Sequence, residues 1–194
     1  MTKRAWIVLA LVAALALSNA LLRLRLGNDL GVAPVYQSDF REPVCVIGGK
    51  ARTVHSSGCG AVCVYMAVNY LTGVTEPDPQ ALFECAYENG DYWGDGLGHE
   101  ALSNLLRDSG VYSRWIGRDG GGVLRALRAG KPVIAHMGKG TFTRSGHYIL
   151  LCGVTAEGEV IVNDPGSRER TAKAYAIDLI LHEAKTQAPF CVCG

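Results

Sequence analysis

The chain has 194 residues, 48% of them hydrophobic and 19% charged, which is the composition of one globular domain with room for a short extra segment but not for a second domain. Nineteen Lys and Arg against eighteen Asp and Glu leave a formal net charge of +1, so the basic footprint that grips nucleic acid or an anionic membrane surface is missing and no nucleic-acid partner is expected. The 24 glycines keep no triplet period and the apolar fraction is too high for a chain that buries no core, which excludes collagen, coiled coil and disorder.

Lys3 and Arg4 precede an unbroken apolar run from Ala5 to Leu17, and Ser18-Asn19-Ala20 follows. A basic start, an apolar stretch and small residues at the cleavage position are the marks of an export signal. With Leu21 and Leu22 the run also approaches the roughly 20 residues that cross a bilayer. Arg23 and Arg25 beyond it weaken, without reversing, the orientation that Lys3 and Arg4 set. Residues 1–26 thus read as a signal peptide or an N-terminal membrane anchor. Both place the rest of the chain in an oxidising exterior, secreted or held on the outer face of the cytoplasmic membrane.

The seven cysteines, Cys45, Cys59, Cys63, Cys85, Cys152, Cys191 and Cys193, suit that compartment. Their number is odd, so one stays free or pairs with another chain, and the other six allow 15 connectivities. Cys59-x-x-x-Cys63 and Cys191-x-Cys193 lack the paired spacing of a closed zinc site. His55, His99, His136 and His182 show no ligand spacing and read as surface or packing residues. No metal and no other cofactor is expected.

The folded domain spans 34–193. Val35-Tyr36 reads as a short strand, and Gly48-Gly49 after Pro43 as an irregular loop that leads to Ser56-Ser57-Gly58-Cys59-Gly60. Ala61 to Leu71 is apolar on nearly every side and closed by Thr72-Gly73, the pattern of a central buried helix with a glycine stop. Asp78-Pro79 supplies an N-cap and a first helical position for a helix through Tyr87. Leu102, Leu105 and Leu106 mark a helix over 99–108, and Val123 to Ala129 another, stopped at Gly130. After Lys131-Pro132 the period changes. Val133–Met137, His147–Val154 and Glu159–Asn163 read as strands of one antiparallel sheet. Helices gathered in the first half and strands in the second predict an α+β fold, not a doubly wound parallel sheet. The Arg168-Glu169-Arg170 run reads as a solvated face, and Tyr92-Trp93 and Trp115 as lids or cleft walls.

The chemistry gathers at three places. Cys59, at the first turn of a buried helix between Gly58 and Gly60, meets exposed backbone N–H groups and the positive helix end, both of which favour the thiolate. His147, after Gly146 at the mouth of a strand, stands where a thiol nucleophile needs its base. Asp164, in Asn163-Asp164-Pro165 at the end of the next strand, is placed to orient the imidazole. It shares the face of His147 if the hairpin loop holds an even number of residues and turns away if the number is odd. Together the three make a nucleophile, base and orienter.

Ser57-Gly58-Cys59-Gly60, Met66 to Gly73, Gly130-Lys131-Pro132-Val133-Ile134, Gly146-His147-Tyr148-Ile149-Leu150-Leu151 and Val162-Asn163-Asp164-Pro165 resemble the papain-like cysteine peptidases of the bacteriocin-processing type, in their stand-alone C39-like form. The resemblance implies a papain-like α+β fold whose helical half carries the nucleophile and packs on an antiparallel sheet half. It implies Cys59 as nucleophile, His147 as general base, Asp164 as orienter, a peptide or protein substrate and a monomeric chain. Two departures stand out. Ala61-Val62 replaces the family's usual Pro-Thr or Pro-Ser, and the family's oxyanion-hole glutamine has its nearest counterpart in Gln37, farther upstream than usual, with Ser57 or backbone N–H groups alone as the alternative donors. The resulting expectation is an exported thiol hydrolase of amide bonds. The alternatives are a cell-wall amidase or endopeptidase of related thiol type, and a peptide-binding module without turnover.

Overall fold

The computed structural model describes residues 27–194, with Ala5, Trp6 and residues 12–14 of the leading segment. The expected signal or anchor over 1–26 lies otherwise outside the described residues. Among those described, no helix is long and apolar enough to cross a membrane.

The core of the molecule is a 7-stranded sheet in the order β4-β9-β5-β6-β7-β8, with β1 added against β6. Its strands are β1 (Asn28–Asp29), β4 (Ser113–Ile116), β5 (Val133–Met137), β6 (His147–Val154), β7 (Val160–Asn163), β8 (Ala174–Tyr175) and β9 (Phe190–Cys193). Every pairing is antiparallel. Helices cover both faces. On one, Ile134, Tyr148, Leu150 and Cys152 pack with α2 (Cys59–Thr72), α3 (Pro79–Glu88) and α4 (His99–Asp108). On the other, Val133, Ala135, Ile149, Leu151 and Val162 pack with Val123 and Leu127 of α5 (Gly120–Arg128) and Ile180 of α7 (Ile177–Glu183). Alternate residues of β5 and β6 therefore enter opposite apolar layers, which is why His147–Val154 is a continuous apolar run and not an alternating one.

Local signals set the helices. Helix α2 is buried from Gly60 through Val64 and again over Met66–Val68, and Gly73, at φ +73°, ends it with its N–H on Asn69 O. Asp78 caps α3 by accepting from Ala81 N at 2.8 Å, with Pro79 at the first helical position. Asp119 caps α5, so that helix begins at Gly120, ahead of the expected Val123.

Three expectations are corrected. Val35-Tyr36 forms no strand; Tyr36 is extended and precedes a 3-10 turn, Gln37–Asp39. The stretch after Pro43 is not an irregular loop but a hairpin of β2 (Pro43–Ile47) and β3 (Lys50–Thr53). Gly48 and Gly49 form its turn at φ +59° and +74°, the positive values at both central positions that a tight hairpin turn demands. All seven cysteines are free thiols in place of the expected cross-links; the five buried ones fill the core as small apolar side chains, and Cys59 and Cys85 are half-buried.

Candidate active site

A break between two helices sets the position of Cys59. Helix α1 (Val54–Ser57) is held by a reciprocal Thr53–Ser56 capping box and closes on Gly58, whose N–H reaches Val54 O at 2.8 Å. A Cβ on Gly58 would lie 2.6 Å from Val54 Cα, so only glycine lets the chain turn this tightly and start α2 at the next residue. Cys59 is half-buried there. The His147 side chain and the backbone N–H groups of Tyr148 and Gly60 are its polar neighbours, and each favours the anionic form of the sulfur.

His147 opens β6, paired with Met137 of β5. Its Nε2 lies 2.7 Å from Asp164 Oδ1. A carboxylate only accepts, so Nε2 carries its proton toward Asp164 and Nδ1 is the nitrogen left for the sulfur. Asp164 is 1% exposed. Its Oδ1 also accepts from Gly166 N at 2.7 Å, and its Oδ2 accepts from Arg170 Nε.

The placement of Asp164 on the face of His147 departs from the simple parity rule. The loop Thr155–Glu159 between β6 and β7 holds an odd number of residues, and the pair Val154↔Val160 next to it would carry Asp164 opposite Leu150, away from His147. A bulge between Leu151 and Gly153 shifts the register to Leu150↔Asn163. Continued by one residue, that register sets Asp164 opposite Ile149, in phase with His147.

Gln37 sits on the 3-10 turn, where its N–H bonds Pro165 O at 3.0 Å and its Nε2 donates to His55 O at 2.7 Å. It thus ties the loop after Asp164 to the helix just ahead of Cys59. The β2–β3 hairpin occupies the sequence between Gln37 and Cys59. Gln37 Oε1 is buried without a hydrogen-bond partner among the described residues.

Electrostatics follow from these contacts. Burial opposes a charge on Cys59, but the hydrogen bond and positive charge of His147, with the N–H groups of Tyr148 and Gly60, outweigh it and hold the thiol below its ordinary range. For His147 burial works downward, yet the hydrogen bonds and negative charges of Asp164 and Cys59 take it up to about 9. Burial also opposes charge on Asp164, and His147, Arg170 and the Gly166 N–H reverse it, keeping the carboxyl below the usual carboxylate range. The three shifts together favour a thiolate–imidazolium pair over an ionised carboxylate.

Sequence reasoning missed two contributors. Arg170, read as part of a solvated run, lies on α6 (Arg168–Thr171) and turns its side chain in to Asp164, 28% exposed. The Gly166 N–H was not anticipated either. The signal for Arg170 was the carboxylate itself, since a buried Asp at a strand end needs a counter-charge and the nearest downstream cations are Arg168 and Arg170. The aromatic residues divide: Tyr92 is buried against Phe83, Trp115 stacks on His99 at 3.6 Å, and Trp93 is 85% exposed. His99 and His136 hydrogen-bond each other at 3.0 Å between the rings of Trp115 and Tyr148.

Residues 29–188 match the model of the peptidase C39-like family. The chain belongs to that family. Two solved structures share its fold. The peptidase domain of Streptococcus ComA, a bi-functional ABC transporter involved in a quorum-sensing pathway, superposes with a TM-score of 0.55 at 18% identity, over 72% of this chain and 92% of that one. A putative C39-like peptidase from Bacillus anthracis gives 0.54 at 14% identity, over 87% of this chain and 97% of the other. No curated protein sequence matches the chain. Membership confirms the expected fold class: a C39-like α+β fold in which a helical region packs on an antiparallel sheet.

Proposed function

We propose that this C39-like protein is a cysteine peptidase, with Cys59 as nucleophile, His147 as general base and acid, Asp164 as orienter and Gln37 as an oxyanion donor. The observation that carries this reading is the 2.7 Å His147–Asp164 hydrogen bond beside the Cys59 thiol, whose anionic form His147 favours, assembled from a helix start and two strand ends. The thiolate attacks the carbonyl carbon of a peptide bond, and the C=O electron pair moves onto the oxygen. That oxyanion is received by the Cys59 N–H at the start of α2 and by the second amide hydrogen of Gln37. His147 Nδ1–H gives its proton to the leaving amine, which departs as the tetrahedral species collapses to a thioester. His147 then takes a proton from water, the hydroxide adds to the thioester, and the carboxylic acid leaves with the sulfur again anionic. Asp164 holds the ring throughout. The replacement of the family's proline by Ala61 removes no atom that these steps use. The basic and apolar segment 1–26 supports action outside the cytoplasm, as a secreted or anchored enzyme.

The test is iodoacetamide alkylation of Cys59 at neutral pH in the native chain and in His147→Ala, with cleavage of a peptide library and of peptidoglycan followed by mass spectrometry. Fast alkylation that needs His147, with peptide products, is expected. Slow alkylation indifferent to His147 would overturn the reading in favour of a binding module, and products from peptidoglycan alone would replace it with a cell-wall amidase or endopeptidase.

A further inference from the structure

We infer that Arg170 is a positioning residue of the active site, the fourth member of an alternately charged series that runs thiolate, imidazolium, carboxylate, guanidinium. This rests on the cysteine peptidase reading and extends it past the expected three residues. The carboxylate of Asp164 is closed off from solvent, and its two oxygens are divided: Oδ1 faces His147 and Gly166, Oδ2 faces Arg170. With the first three members alone, a half-buried site would hold two negative charges against one positive. Arg170 makes the sum zero.

The surroundings fit a fixed cation and not a mobile surface arginine. Ser167 caps the short helix α6 by accepting from Arg170 N at 3.2 Å, and the Arg170 carbonyl accepts from Tyr175 OH on β8 at 3.1 Å. The backbone of Arg170 is thus held from both sides while Nε enters the site. Thr171, next along, donates its hydroxyl to Asp164 O and accepts from Asp164 N, so the same turn grips the main chain that carries the carboxylate. Arg168, two residues away on the same turn, is the natural contrast. It meets Asp39 at 3.4 Å with both side chains largely exposed and lies over the Tyr36 ring, an arrangement screened by water.

The charged and titratable groups around the Asp164–Arg170 pair are His147 on β6, Cys59 and Cys63 on α2, Tyr175 on β8, and Glu169 and Lys173 beside Arg170. Removing the guanidinium charge leaves the Asp164 anion uncompensated. The imidazolium of His147 is then favoured, and the thiolate, now one of two unbalanced anions, is disfavoured. Both limbs of the pH dependence move to higher pH.

The experiment is the pH profile of Cys59 alkylation from pH 4 to 11 in the full chain, which needs no substrate. Arg170→Gln keeps a donor without the charge, Arg170→Met removes both, Arg170→Lys restores charge, and Arg168→Gln is the control, with thermal melts recorded for each. Expected is an upward move of both limbs by about one pH unit in the Gln and Met variants, recovered by Lys, with the control unmoved. A lower amplitude with unmoved limbs in folded Arg170→Gln would make Arg170 a structural brace and overturn the inference. A native chain with slow, His147-independent alkylation would instead remove the peptidase reading beneath it.

Discussion

The tightest constraint on Cys59, the proposed nucleophile, is steric, and Gly58→Ala tests it. The added methyl would stand 2.6 Å from Val54 Cα, 2.7 Å from its Cγ1 and 2.9 Å from its O. Ordinary carbon–carbon contact begins near 3.5 Å, so α1 and the start of α2 must part by about 1 Å. Two of the three obstructing atoms are backbone and cannot rotate aside. Overpacking of this kind costs about 1–3 kcal/mol, offset in part by about 0.4–1 kcal/mol from the stiffer unfolded chain; a net loss of about 1–2 kcal/mol follows. Because Cys59 is the next residue, the same displacement moves its sulfur relative to His147, and a 1 Å error of this kind costs about 10²-fold in rate. Gly60→Ala is the comparison. Its methyl would meet the end of Leu102 at 3.0 Å and the Tyr148 ring at 3.4 Å, both side chains, and alanine adds helix propensity of up to about 1 kcal/mol. Urea unfolding and the alkylation rate of Cys59 measure both effects. If Gly58→Ala proved as stable and as reactive as Gly60→Ala, the argument that this glycine places the sulfur would fail.

Gln37→Ala should lower peptide turnover by about 10²–10³ through the lost oxyanion donor while iodoacetamide alkylation, which passes through no oxyanion, keeps its rate; equal loss of both would show that Gln37 serves only the fold. His136 is pushed down from 6.5 to about 4 by burial, with the charges of His99 and Lys185 adding to it, so the unfolded chain binds the extra proton first. Its contribution to stability is complete above pH 6.5 and is lost as pH falls toward 4, and urea midpoints against pH should be flatter over that window in His136→Gln than in the native chain.

Residues with a mechanism of their own were legible. Gly73, Asp78-Pro79 and the apolar run after His147 each impose one local geometry, and the helices and central strands follow from them. The three candidate site residues were legible for the same reason, each sitting at an element boundary. What escaped depends on partners distant in sequence. Strands β4 and β9 are four residues each and gain their stability by pairing with each other and with β5, which no local pattern announces. The depth of Arg170 depends on where Asp164 lies. The bulge in β6 did leave a mark: Gly153 interrupts an apolar strand, and a Cβ there would meet Asn28 O at 2.6 Å and Asp29 Cα at 2.9 Å. An isolated glycine in a strand signals a bulge or a close backbone approach, and at Gly153 it accompanies both. Counting loop residues without that signal gives the wrong face for Asp164.

Helix α2 also contains its own control for the proposal that Cys59 is the reactive thiol. Cys63 lies one turn further along the same helix, buried with no exposure, and its pKa moves the opposite way: burial, then the negative charges of Cys59 and Asp164, push it well above the ordinary thiol range. Two cysteines on one helix thus diverge because only the first has an imidazole and the N–H groups of Tyr148 and Gly60 beside it to favour the anion. Cys85, half-buried on α3, shares solvent access with Cys59 but has Asn89 as its side-chain neighbour in place of a histidine. Iodoacetamide labelling of the folded chain at pH 6, read by peptide mass spectrometry, should therefore modify Cys59 well ahead of Cys85 and leave Cys63, Cys152, Cys191 and Cys193 untouched until denaturant is added. Were Cys85 to react as fast as Cys59, access alone would explain the labelling, and the thiolate–imidazolium pair would have to be abandoned as the source of reactivity.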